Sequence, residues 1–224
     1  MPLRDVPLVS NEYYHVFNRG HASSPVFLNK RHYEKFIDIL LYYRNLLPPL
    51  RYSKFLQLDI NERKALLEDL AIKKEFLIDI VAYCLMPNHF HLLVKQNVDS
   101  GIQRFLYLVS SSYSHYFNLK NNQKGSLFEG RFRAVHISND DQLMHLSRYI
   151  HLNPYSSYVV RTIDETFSYP YSSLLEYIDG ISVVANSAEI VLSQFKNLEK
   201  YKEFVLDRAD YQRTLETIKH QTIE

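Results

Sequence analysis

An apolar run over residues 76–86 stops at Pro87-Asn88 and gives way to strict alternation over residues 89–95, and this pair of patterns leaves little choice but a β-hairpin inside a sheet. The run is rich in Ile, Val, Tyr and Leu, as expected of a central strand covered on both faces. In the returning strand successive side chains point to opposite faces. His89, His91, Leu93 and Lys95 therefore share one face, and Phe90, Leu92 and Val94 share the other. Two imidazoles two residues apart on one face can bind a single divalent cation. Satisfied or solvated histidines at that spacing are the common alternative.

Other elements follow from period and punctuation. Residues 12–18 alternate as a first strand closed by Asn18-Arg19-Gly20. A helical spacing begins at the N-cap candidate Asn29 and is stopped by Pro48-Pro49. Residues 53–75 read as one or two short helices inserted between core elements, and residues 100–120 as an amphipathic helix capped by Ser100 or Asp99. Residues 126–137 are expected as a strand, and Asp140-Asp141 open a helix expected to end before Pro154. The order strand, helix, strand, strand, helix, strand predicts an α+β fold of the ferredoxin-like, split βαβ kind, an antiparallel sheet with helices on one face. Residues 172–178 and 188–206 look helical with a looser stretch between them. The chain thus divides into a catalytic domain over 1–160, with a helical insertion near 53–75, and a mostly helical C-terminal extension over 161–224.

The 26 basic and 25 acidic residues nearly cancel, so charge alone neither requires nor excludes nucleic acid. Eighteen Tyr and thirteen Phe serve equally well as core filling and as stacking platforms for unpaired bases. The single cysteine, Cys84, lies in the apolar run and is expected to be an inert packed thiol in a reducing cytoplasm. No signal peptide and no membrane-length apolar run is visible, which predicts a soluble intracellular protein with no membrane partner.

The helix that follows ends in Ser147-Arg148-Tyr149-Ile150-His151-Leu152-Asn153-Pro154, where Tyr149 and Asn153 are four apart and share a helix face. A phenol and an amide oxygen could meet the histidine pair there. The plainer alternative is a packed Tyr149 and an Asn153 that closes the helix. Tyr113 and Tyr116 are rival nucleophiles by residue type, but both fall on the apolar stripe of the preceding helix and are expected to pack. His136 and His145 are expected on the surface or in packing.

Four blocks in order resemble the REP-associated tyrosine transposases of bacteria, within the single-tyrosine transposases whose two histidines flank one bulky residue. They are Tyr14-His15-Val16-Phe17-Asn18-Arg19-Gly20, Met86-Pro87-Asn88-His89-Phe90-His91-Leu92-Leu93-Val94, Gly125-Ser126-Leu127-Phe128-Glu129-Gly130-Arg131-Phe132, and Arg148-Tyr149-Ile150-His151-Leu152-Asn153-Pro154. The resemblance implies Tyr149 as nucleophile and His89 and His91 as ligands of Mg²⁺ or Mn²⁺. It implies single-strand DNA nicking and joining through a 5′-phosphotyrosine, on hairpin or palindromic repeat DNA. Transposase relatives carry a glutamine one turn beyond the tyrosine, where this chain has the shorter Asn153. Asn18, Arg19, Arg104, Lys124, Arg131 and Arg133 are the candidate DNA contacts, weighed against ordinary surface polarity. A bacterial, nucleoid-associated protein is implied, and a homodimer is allowed but not fixed. Two other functions fit the residues: a domesticated protein that grips hairpins without cutting, and a metal hydrolase that activates water and leaves Tyr149 dispensable.

Overall fold

The computed structural model describes residues 7–214. The strands are β1 (Tyr13–Arg19), β2 (Ile78–Met86), β3 (His89–Gln96) and β4 (Arg133–Ile137). They form one antiparallel sheet in the order β2-β3-β1-β4. Two strands made far apart in the chain, β1 and β3, occupy the centre, which is the order a split βαβ arrangement requires.

One face carries Tyr14, Val16, Phe90, Leu92 and Val94. It packs under α1 (Lys30–Tyr43) and α4 (Gly101–Asn121) through Phe36, Leu40, Phe105, Val109, Tyr113 and Phe117. These are the two helices expected on one face. The insertion folds as α2 (Tyr52–Phe55) and α3 (Ile60–Lys73), the latter started by a reciprocal Asp59/Glu62 capping box.

The opposite face is covered too. It meets α5 (Asp140–Ser156) and the short helices α7 (Ser173–Asp179) and α8 (Glu189–Leu192), while α6 (Ile163–Thr166) and α9 (Leu198–Leu206) pack on α5. Leu143, Ile150, Leu152, Leu174, Tyr177, Val191 and Tyr201 share a second core with Val81, Cys84 and Leu93. Cys84 is fully buried and burial pushes its thiol pKa up, in keeping with an inert packed group. Among the described residues no helix is long and apolar enough to cross a membrane.

Four local expectations give way to tertiary structure. Of residues 126–137 only Arg133–Ile137 pairs with β1, because Gly130 adopts a left-handed φ of 49° and breaks the extension. Helix α5 runs through Pro154 and stops two residues later. The missing N–H falls in the last turn, and the Pro154 carbonyl still accepts from Val159 and Val160. Residues 188–206 form two helices rather than one, since Asn197 caps α9 by accepting from Lys200 N. Ser100 sits at the N-cap of α4 with φ 59° and makes no side-chain cap; Gln96 Oε1 instead takes the N–H of Ile102 at 3.1 Å.

Candidate active site

The histidine pair lies where the hairpin turns. His89 and His91 are the first and third residues of β3, and the register places them opposite Arg19 and Phe17 of β1. Their shared face is the one toward α5. That helix begins at Asn139, whose side chain accepts from Gln142 N, with Asp140 and Asp141 favourably placed in its first turn. It brings Tyr149 against the sheet, with its ring centroid 5.6 Å from His91 and 6.1 Å from His15, edge-on to both.

The backbone beneath Tyr149 is pinned. Its carbonyl accepts from Asn153 Nδ2 at 2.9 Å and from Gln212 Nε2 at 3.1 Å. Asn153 is buried and its amide nitrogen donates to the helix, which leaves its oxygen able to accept a hydrogen bond or to ligate a cation. On either side of Tyr149, α5 grips the C-terminal helices. Arg148 donates to the Phe204 carbonyl and lies over the Phe204 ring, while fully buried His151 bonds Tyr201 Oη and Ser173 Oγ, each at 2.7 Å. Burial pulls the His151 pKa down to about 3, so the ring is a neutral structural link.

Asn88 fixes the proton on His89. Its Nδ2 donates to the Ser23 carbonyl at 3.2 Å, which turns its Oδ1 toward His89 Nδ1 at 2.6 Å. An amide oxygen only accepts, so His89 carries its hydrogen on Nδ1 and its lone pair on Nε2. Burial, then the charge of Arg19, pulls the His89 pKa down to about 4, which keeps the ring neutral. His91 Nδ1 lies 2.9 Å from His15 Nε2, and burial also pulls His15 down to about 4. Two imidazoles on one strand face, oriented by outer partners, are a donor pair that suits a divalent cation. Among the described residues no group of three or more His, Cys, Asp or Glu could hold one, so water or substrate oxygens would complete any sphere.

The candidate DNA contacts separate by position. Arg133 pairs with Phe17 in the register, as does His91, so Arg133, Phe17 and His91 form one row across the same face. Arg19 lies opposite His89, and Arg19, Arg131 and Arg133 are all exposed. Exposed Lys124 follows α4 in the loop that reaches Leu127, whose carbonyl accepts from His21 N. Asn18 points to the other face, is buried, and accepts from Arg19 N. Arg104 is exposed in the first turn of α4, near Gln96 and Leu77 at the far end of the sheet from His89. Tyr113 is fully buried and its hydroxyl donates to the Val26 carbonyl at 2.6 Å, as packing requires. His136 bonds Glu12 near the surface, and exposed His145 bonds Arg148.

His15, Asn88 and His151 are the site's unassigned residues in the sequence reading. His15 belongs to the block over residues 14–20, but only the β1/β3 register reveals that it lies diagonal to His91.

Residues 40–153, slightly more than half of the chain, match the family described as Transposase IS200 like. The chain belongs to this family of transposases. In fold this transposase is similar to a solved REP-associated tyrosine transposase bound to a REP hairpin, with a TM-score of 0.54 and 15% sequence identity. The match covers 83% of this chain and 90% of that one, and at such identity the likeness concerns the fold. A search of curated proteins gave no match.

Proposed function

We propose that the transposase cuts and rejoins single-stranded DNA through attack of Tyr149 on a backbone phosphate, acting on hairpin or palindromic repeat DNA. The observation that carries this reading is the meeting of Tyr149, on α5, with His91, on β3, at 5.6 Å between rings. Nothing in ordinary packing requires a phenol to end beside two imidazoles, one of them in the cross-strand row that ends in exposed Arg133.

In this reading the phenol oxygen of Tyr149 forms a bond to phosphorus as the bond to the 3′ oxygen breaks. The phenol loses its proton, and the departing strand gains one as a 3′-hydroxyl. The product is a 5′-phosphotyrosine, which the same or another 3′-hydroxyl can attack to restore a phosphodiester without a nucleotide triphosphate. His89 and His91 would hold Mg²⁺ or Mn²⁺, with Asn153 Oδ1 as a further candidate ligand. The cation would supply polarisation of a non-bridging phosphate oxygen. The chain's own part is positioning: the Asn153 and Gln212 bonds hold the Tyr149 backbone, and Asn88 holds His89. Arg19, Arg131, Arg133 and Lys124 would neutralise phosphates around the row of histidines. Asn18 would contribute by accepting the Arg19 N–H at the end of β1, and Arg104 only through a DNA strand long enough to reach the far end of the sheet. The solved neighbour was bound to a REP hairpin, which supports a hairpin as substrate here. Such work places the protein with the nucleoid in a bacterial cytoplasm, as monomer or homodimer.

The test is a labelled single-stranded hairpin incubated with the purified protein and Mn²⁺ or Mg²⁺, followed by a denaturing gel and peptide mass analysis. A metal-dependent adduct on Tyr149 that vanishes in Tyr149→Phe is expected. Cleavage that survives Tyr149→Phe would sink the tyrosine mechanism. Among the described residues no third acidic, thiol or imidazole group completes a metal-holding cluster, which favours one second reading, a hairpin-binding protein without turnover; binding without adduct across several hairpins would establish it.

A further inference from the structure

A third ring stands on the histidine face with no role assigned to it. His15 lies on β1, opposite Leu93, and so sits diagonally from His91, which is opposite Phe17. The rings of His15 and His91 stack, with an interplanar angle of 23° and centroids 5.1 Å apart, while Phe17 packs against both. The contact is a hydrogen bond of 2.9 Å between His15 Nε2 and His91 Nδ1.

One proton is shared between those two nitrogens. If it sits on His15 Nε2, His91 Nδ1 accepts, and the neutral His91 ring must carry its own hydrogen on Nε2. If it sits on His91 Nδ1, His15 accepts, and a neutral His91 ring keeps its lone pair on Nε2. Only the second arrangement leaves His91 ready to ligate through Nε2. The neighbouring ring already follows that pattern, since Asn88 Oδ1 compels the Nδ1–H form of His89.

We propose that His15 is a positioning residue that accepts the Nδ1 proton of His91, as Asn88 does for His89, and so presents His91 Nε2 to the divalent cation. This rests on the reading that His89 and His91 hold the cation. It also assigns His15 away from ligation through Nε2, because that nitrogen is turned to the rear of His91. Two unlike partners then do the same work: an amide from the hairpin turn for one ligand, an imidazole from the central strand for the other.

The experiment combines long-range ¹H–¹⁵N spectra of the metal-free protein with Mn²⁺ titration followed by electron paramagnetic resonance. His15→Phe keeps a ring and removes the acceptor, whereas His15→Gln places an amide oxygen near the position of Nε2. The wild type should show His91 protonated on Nδ1. His15→Phe should bind Mn²⁺ about 10–100-fold more weakly, and His15→Gln should recover most of that loss. The His89 tautomer should stay unchanged in both variants, which shows that the sheet is intact. An Nε2–H form of His91 in the wild type would overturn the proposal. So would wild-type affinity in His15→Phe, or a His15→Gln variant as weak as His15→Phe. Mn²⁺ affinity that is insensitive to His91→Ala would instead overturn the cation reading. The tautomer measured without metal would still decide whether His15 is the acceptor.

Discussion

Tyr113 on α4 and Tyr149 on α5 occupy comparable places: each lies on the inward stripe of a long helix laid across the same sheet. The face beneath Tyr113 is aromatic and aliphatic, and its hydroxyl finds a single backbone carbonyl within an otherwise apolar core. Burial pushes its pKa up, which suits a phenol that never ionises. The face beneath Tyr149 offers His15 and His91 instead, and the side chain is only half-buried. Helix periodicity makes the two tyrosines look alike. What separates them is which strand residues they meet, and therefore the parity of β3: Phe90 and Leu92 on one side, His89 and His91 on the other.

The contrast can be broken most sharply at the hydroxyl. Tyr149→Phe should abolish the covalent DNA adduct, a loss of at least about 10³-fold on a denaturing gel, since in the proposed reaction the Tyr149 phenol supplies the bond to phosphorus. Its melting temperature should barely move. Tyr113→Ala should do the reverse. Emptying a buried aromatic site costs about 3–5 kcal/mol, read as a lower denaturation midpoint, while any protein still folded forms the adduct. His151→Leu tests the link between α5 and the C-terminal helices. Leaving Tyr201 Oη and Ser173 Oγ short of a partner should cost about 1–3 kcal/mol in urea unfolding. The smallest effect is expected at the row beside the site. Arg133→Ala should weaken hairpin binding severalfold and lower the slope of log affinity against log salt by about one, measured by fluorescence anisotropy. An unchanged slope would remove Arg133 from the phosphate-contacting set.

The hairpin, both helices and the face shared by His89 and His91 were legible in the sequence because each depends on a local period. So was the proximity of Tyr149, once the four blocks were set in order. The errors arose where a local rule met a tertiary one. Gly130 shortened β4, and Pro154 was tolerated because it fell in a last turn. Asn18 was placed with Arg19 by sequence adjacency, although adjacent strand residues face opposite ways. The partners of His15 and His151 lay beyond reach for another reason. His15 meets His91 only through the β1/β3 register, and His151 meets Ser173 and Tyr201 from 22 and 50 residues away. No period in a chain encodes such pairs.

The strand order has one more consequence, for a chain still on the ribosome. β1 is made first but ends between β3 and β4, and the active-site parts leave the ribosome as His15, then His89 and His91, then Tyr149. β1 and β3 both emerge before α5, because the chain is synthesised from its N-terminus. A nascent or prematurely ended polypeptide would therefore display the imidazoles without the phenol. Translation itself keeps the two halves of the candidate site apart until Tyr149 has emerged.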